Sequence, residues 1–140
     1  MSLDGVFGAT IEILGKGIDL RAKKHNYISA NLANAETPGY RPTTLSFEGE
    51  LKTALHGKGG GSGVLTNPRH IPLKGNGAGL QKVEGSVIDT ASVTPGRDGN
   101  GVELEQEMSQ MVENQIMYNA SVQMLGKKFE MMKQAIKGGV

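Results

Sequence analysis

Cysteine and tryptophan are missing from this 140-residue chain, and aromatic residues make up only 4% of it. Without thiols there is no disulfide framework, no thiolate nucleophile and no dependence on a redox compartment. No charge sign dominates. Fifteen Lys and Arg stand against 14 Asp and Glu, a formal net charge of +1, which excludes field-driven capture of nucleic acid or of an anionic membrane surface. No run of about 18 apolar residues occurs, so no transmembrane helix is expected. The N-terminus lacks a basic region followed by an unbroken apolar stretch, so no cleaved signal peptide is expected either. A chain of this kind that works outside the cytoplasm must leave by a route that reads no such signal. Core material is thin too, with 37% hydrophobic residues.

Glycine, by contrast, is plentiful. There are 21 in all, and 13 of them fall between Glu36 and Asn100. On either side of that segment the apolar residues are strictly ordered. Phe7, Ile11, Leu14, Ile18, Arg21, His25, Ile28, Leu32 and Ala35 follow a 4-3-4-3 spacing, broken in character only by Arg21 and His25. Leu104, Met108, Met111, Gln115, Tyr118, Val122, Leu125, Phe129, Met132 and Ile136 repeat it, with Gln115 as the one polar member. A 3.5-residue repeat held over four heptads is a coiled-coil seam. It predicts helices from about Leu3 to Ala35 and from about Val102 to Lys137, each roughly 50 Å long.

End signals and charge order refine this. Asn100 with Glu103 three residues on has the form of a capping box, and Lys137-Gly138-Gly139 reads as a basic last turn with a glycine stop. In the second helix Glu103, Glu105, Glu107 and Glu113 precede Lys127, Lys128, Lys133 and Lys137; in the first, Asp4, Glu12 and Asp19 precede Arg21, Lys23 and Lys24. Both orders suit the helix dipole, and only an antiparallel pairing sets each acidic start against the other's basic end. The fold class expected is mainly α: long N- and C-terminal helices paired as an antiparallel coiled coil around an irregular, Gly-rich middle. The expected division is 1–35, 36–100 and 101–140, within one structural unit.

Two features exceed what a helix pair needs. Gly5, Gly8, Gly15 and Gly17 each cost about 1 kcal/mol against Ala in a helix interior, so the first helix is expected to order fully only where small residues let neighbours approach. Met117, Met124 and Met131 form a stripe outside the second seam. Such a stripe is often ordinary packing, but two helices bury one seam each, and neighbouring copies are the expected cover for the remainder. The candidate assembly residues are Ile11, Leu14, Ile18, Ile28, Leu32, Met108, Met111, Met117, Tyr118, Val122, Met124, Leu125, Phe129, Met131, Met132 and Ile136.

In the middle, Phe47, Leu51 and Leu55 lie four apart and predict a short helix near 46–56. Residues Gly57 to Gly63 read as a flexible connector, Val64 to Leu73 as an extended segment, and the weak alternation from Gly75 to Gly96 leaves room for short strands. Catalytic patterns are lacking. His25, His56 and His70 share no ligand spacing, and His25 on a seam is expected to be a buried, satisfied imidazole. Glu103, Glu105 and Glu107 fan around a helix as a solvated first turn. Gly75-Asn76-Gly77-Ala78-Gly79 misses the phosphate-loop spacing, and Asp98-Gly99-Asn100-Gly101 lacks the closing glutamate of a calcium loop. No catalytic, cofactor-binding or metal-ligating set is expected, and no enzyme activity.

Where the first helix must end stands Ala30-Asn31-Leu32-Ala33-Asn34-Ala35-Glu36-Thr37-Pro38-Gly39-Tyr40. Pro38 disfavours helical geometry at Thr37 and cannot continue a helix, and Gly39 supplies the positive φ of a tight turn. Asn31, Ala33, Asn34, Thr37, Pro38, Gly39 and Tyr40 in this arrangement resemble the signature of the bacterial flagellar axial proteins, the rod, hook and hook-associated subunits. Weaker matches are His70-Ile71-Pro72, Asp98-Gly99-Asn100 before Val102-Glu103, and the terminal Gly138-Gly139. The family plan is similar: terminal segments pair as a coiled coil lining a tube, with a member-specific middle, and the short middle resembles that of the proximal rod subunits.

The resemblance implies a structural subunit of the basal-body rod, in the periplasmic space, transmitting torque and enclosing the export channel, with no small-molecule substrate or nucleic acid. Implied partners are other rod subunits (FlgC, FlgF and FlgG types), the rod–ring junction protein (FliE type), the membrane-ring protein (FliF type) and the flagellar type III export gate. Early-exported members carry a Phe-x-x-x-hydrophobic element that docks on that gate, and Phe47 with Leu51 has this form. The same two residues, one helical turn apart, could equally pack a short helix against the coiled coil. The alternatives are the sister proximal rod type, FlgC, and a cytosolic coiled-coil adaptor.

Overall fold

A computed structural model describes residues 3–55, 78–90 and 99–138. Helix α1 runs Leu3–Ala33, strand β1 Thr43–Ser46, helix α2 Glu48–Leu55, a single turn α3 Ala78–Gln81, strand β2 Ser86–Asp89, and helix α4 Leu104–Lys137. The 57–63 connector, the extended segment over 64–73, His56 and His70 lie outside the described residues.

The two long helices lie side by side and antiparallel. Halfway along, the Asn114 Nδ2 donates to the Arg21 carbonyl (2.9 Å); at one end, the Asn100 Nδ2 donates to the carbonyls of Asn34 and Ala35 just before α4 begins. The start of α4 is thus tied to the end of α1, as the charge order requires.

A small core lies on another side of α1. Leu20 packs with Leu45 of β1, Phe47 and Val83, and Tyr27, Leu51 and Ala54 close around them. β1 and β2 pair antiparallel with Thr43 opposite Asp89 and Ser46 opposite Ser86. Gly85, which leads into β2, has φ +77°, and a Cβ there would fall 3.0 Å from the Leu45 side chain and 3.1 Å from Phe47 Cβ. Only glycine fits both its conformation and its space. A two-stranded ribbon is marginal by itself; this one is held by burying Leu45 on α1.

Three expectations are corrected. Asn100 does not cap α4: Glu103 occupies the N-cap position without a side-chain hydrogen bond, because the Asn100 carboxamide is committed to the end of α1 and to the Val102 amide (2.8 Å). The α4 seam is rotated. Met111, Tyr118, Leu125 and Met132 do lean on α1, but the second row facing it is Glu107, Asn114, Ser121 and Lys128, while Met108, Val122, Phe129 and Ile136 are exposed. His25 is half-buried with no partner for its Nδ1, so it is not a satisfied imidazole.

Candidate functional site: the helix junction and the uncovered faces of α4

The residues that end α1 build a junction rather than a simple turn. Helical hydrogen bonding tapers through Asn34 N to the carbonyls of Ala30 and Asn31 (both 3.2 Å) and Thr37 N to Asn34 O (3.0 Å). The Asn34 side chain donates back to Ala30 O (2.8 Å) and accepts from Thr37 Oγ1 (3.2 Å). Gly39 then takes φ +71°, which a β-carbon would disfavour, and the chain reverses through Tyr40 into β1.

Asn31 is completely buried, and its environment explains its identity. In an antiparallel pair every second residue turns its N–H and C=O away from its partner strand. At Thr43 those groups meet the Asn31 side chain: Nδ2 donates to Thr43 O (2.9 Å) and Oδ1 accepts from Thr43 N (3.1 Å). The carboxamide therefore stands where a third strand would be. The Tyr40 hydroxyl also donates to Oδ1 (3.3 Å), and the Tyr40 carbonyl accepts from Gly101 N (3.1 Å). Asn31, Asn34, Thr37, Gly39 and Tyr40 thus join the end of α1, the start of β1 and the approach to α4 at one point. Ala33, Pro38 and Gly39 are exposed at its surface.

Glu107 belongs to this junction, contrary to its expected place in a solvated turn. It is 3% exposed and its Oε2 has no partner. Burial pushes its carboxyl above the ordinary range, offset only partly by hydrogen bonding from Asn31. Sequence reasoning placed it on the outside because acidic residues in a first turn usually are; only the rotated seam turns it inward.

Phe47 is 1% exposed, with the Arg21 guanidinium 5.5 Å and the Lys24 ammonium 5.8 Å from its ring centroid. Lys24 also pairs with Glu48 (3.1 Å). Burial raises the Glu48 carboxyl, but the amides of Glu48 and Phe47 together with Lys24 outweigh it and leave it below the ordinary range. Leu51 packs at the edge of the same core.

Along α4 the picture reverses. Met108, Val112, Ile116, Met117, Val122, Met124, Phe129, Met131 and Ile136 are exposed. One row, Met108–Val122–Phe129–Ile136, lies along one flank of the contact with α1; Met117–Met124–Met131 lies along the other. On α1, Ile28 is fully buried, and Ile11, Leu14, Ile18 and Leu32 are half-buried. A Cβ on Gly8, Gly15 or Gly17 would meet nothing within 4 Å, so no contact among the described residues requires those glycines. Among the described residues no helix is long and apolar enough to cross a membrane, and no group of three His, Asp or Glu could hold a metal.

The fold is an antiparallel helix pair, closed by a polar junction, with apolar rows exposed on the outer flanks of α4. No protein-family model matches the chain. It is similar along nearly its whole length to curated proteins named flagellar basal body rod protein FlgB: 30% identical over 138 residues to that of Salmonella typhimurium (94% of this chain, 95% of the relative), 31% over 132 residues to that of Cereibacter sphaeroides (94% and 97%), and 28% over 135 residues to that of Escherichia coli (94% and 95%). The chain belongs to the FlgB family of flagellar basal body rod proteins.

Proposed function

We propose that the protein is a non-enzymatic subunit of the proximal rod, part of the shaft that transmits torque from the membrane ring and encloses the export channel. The observation that carries this reading is the inverted burial of α4. Its contact with α1 takes up polar Glu107 and Asn114, while apolar residues remain uncovered on both flanks. Apolar rows left exposed on two flanks of one helix mark contact surfaces for other chains. The same surfaces would meet neighbouring copies, other rod subunits of the FlgC, FlgF and FlgG types, and the FliE-type junction and FliF-type membrane-ring proteins. The location is the periplasmic rod.

The test is Met124→Glu. It places a charge on the stripe without touching the α1 contact, so the single chain should fold while rod assembly and motility are lost. Normal motility would show the stripe to be plain surface.

Export is proposed to use Phe47 and Leu51 as the gate-docking pair. Burial of Phe47 under Arg21 and Lys24 means that docking must precede folding: the chain would present these side chains first and bury them later. Phe47→Ala should block secretion in a strain with no rod to join, while leaving the protein soluble. Undiminished secretion together with faulty assembly would leave only the packing role.

A further inference from the structure

The polar interruptions of the two apolar repeats meet in space. Arg21 and His25 from α1 and Gln115 from α4 line one cavity of about 290 Å³ beside the helix pair, together with Asn114 and Tyr118. Asn114 Nδ2 donates to Arg21 O and Gln115 Nε2 to Asn119 Oδ1 (3.1 Å), and Asn26 lines the cavity at an exposed position. Two buried polar atoms are left without partners: Asn114 Oδ1, on a residue only 3% exposed, and His25 Nδ1. An unpaired buried acceptor is costly, and no hydrogen bond from the described residues reaches this one.

The position of the cavity indicates where a donor would come from. Met108 and Val122 lie one heptad either side of Gln115, so a helix resting on this flank passes over the notch, in continuity with the α1–α4 contact. The far flank of α4 carries Met117–Met124–Met131 with the same seven-residue repeat, so each copy bears a row and a stripe of matching period on different faces. Such unlike patches join copies head to tail, and give an open helical array when the rotation does not close.

We infer that the notch sets the axial register between copies: a donor-bearing side chain of the neighbouring copy's α4 enters it and hydrogen-bonds Asn114 Oδ1 and His25. Shifting the neighbour by one heptad keeps the apolar contacts but presents the notch with a different side chain and leaves its acceptor unpaired. A buried polar group sets register in coiled coils in the same way. This inference rests on the proposed role of the α4 flanks as intersubunit surfaces.

The chain has no cysteine, so crosslinking is unambiguous. Val122→Cys is combined in turn with Met117→Cys, Met124→Cys or Met131→Cys, and oxidised in cells that build flagella. One combination should dominate the crosslinked product between copies. In His25→Leu, whose Nδ1 has no internal partner to lose, and in Asn114→Leu, its yield relative to the combination one heptad away should fall about tenfold, the worth of one buried hydrogen bond. An unchanged ratio in both variants would mean that water alone fills the notch; it would overturn the inference and leave the assembly reading intact. Absence of crosslinks from every combination in the parent would overturn the flank assignment and this inference with it.

Discussion

Around Asn31 the molecule buries amides and a carboxyl; along the outer flanks of α4 it leaves methionine, valine and phenylalanine in solvent. The junction has polar material inside and nearly every group matched, by Thr43, Tyr40, Asn34 and Asn100. The flanks have apolar material outside and, among the described residues, nothing over it. Directional hydrogen bonds fix one geometry within a chain. Apolar burial is non-directional and grows with area, and along α4 the described residues leave much of it unrealised. The junction sets the shape of the chain, and the flanks are the surfaces proposed above to meet its neighbours.

The contrast can be broken from the inside first. Phe47→Ala removes the largest fully buried side chain and should cost the single chain about 4 kcal/mol, read as a lowered midpoint in urea. Asn31→Ala removes the carboxamide that replaces a third strand and strands Thr43 N and O. It should cost about 3 kcal/mol, and Asn31→Asp should not restore it, because a carboxylate cannot donate to the Thr43 carbonyl.

Smaller effects sharpen it. Glu107 has its carboxyl raised by burial above 4.5, so its contribution is fully present below pH 4.5 and is lost as pH rises through the higher folded-state value. Glu107→Gln should therefore raise stability by about 1 kcal/mol at pH 7, and the gain should vanish in acid. A constant gain across that range would refute burial as the cause. Gly17→Ala, with open space around its Cβ, should stabilise the isolated chain by about 0.7 kcal/mol, measured by thermal unfolding; if neighbours approach closely there, the same change should impair motility. Smallest on the single chain is Met124→Glu, which should alter its unfolding midpoint by less than about 0.5 kcal/mol while abolishing assembly. A large loss of monomer stability would mean that the stripe is packed within the chain.

Local chemistry explains how much of this was legible in advance. The 3.5-residue repeats marked both long helices, and the opposed charge gradients settled their antiparallel order, since each depends only on neighbours along the chain. Pro38 and Gly39 marked the end of α1. The β1–β2 pairing was faint, because four-residue strands with Thr43, Thr44, Ser46 and Ser86 carry almost no alternation, and their partners lie far apart in sequence. Asn31 was picked out as part of a motif, but its hydrogen bonds were not foreseeable, since they depend on where Thr43 comes to rest.

The amino-acid sequence alone determined that there are two long heptad-repeat helices, that they run in opposite directions, and that a proline–glycine turn ends the first, because spacing, charge order and backbone restriction are properties of consecutive residues. Only the tertiary structure decided which side of α4 faces α1. A helix with apolar rows on both flanks offers more than one seam of equal period, and periodicity cannot choose between them. The choice fell to the junction: Asn100 ties the start of α4 to the end of α1, Glu107 sits against Asn31, and those polar contacts rotate the helix until Met108, Val122 and Phe129 point outward.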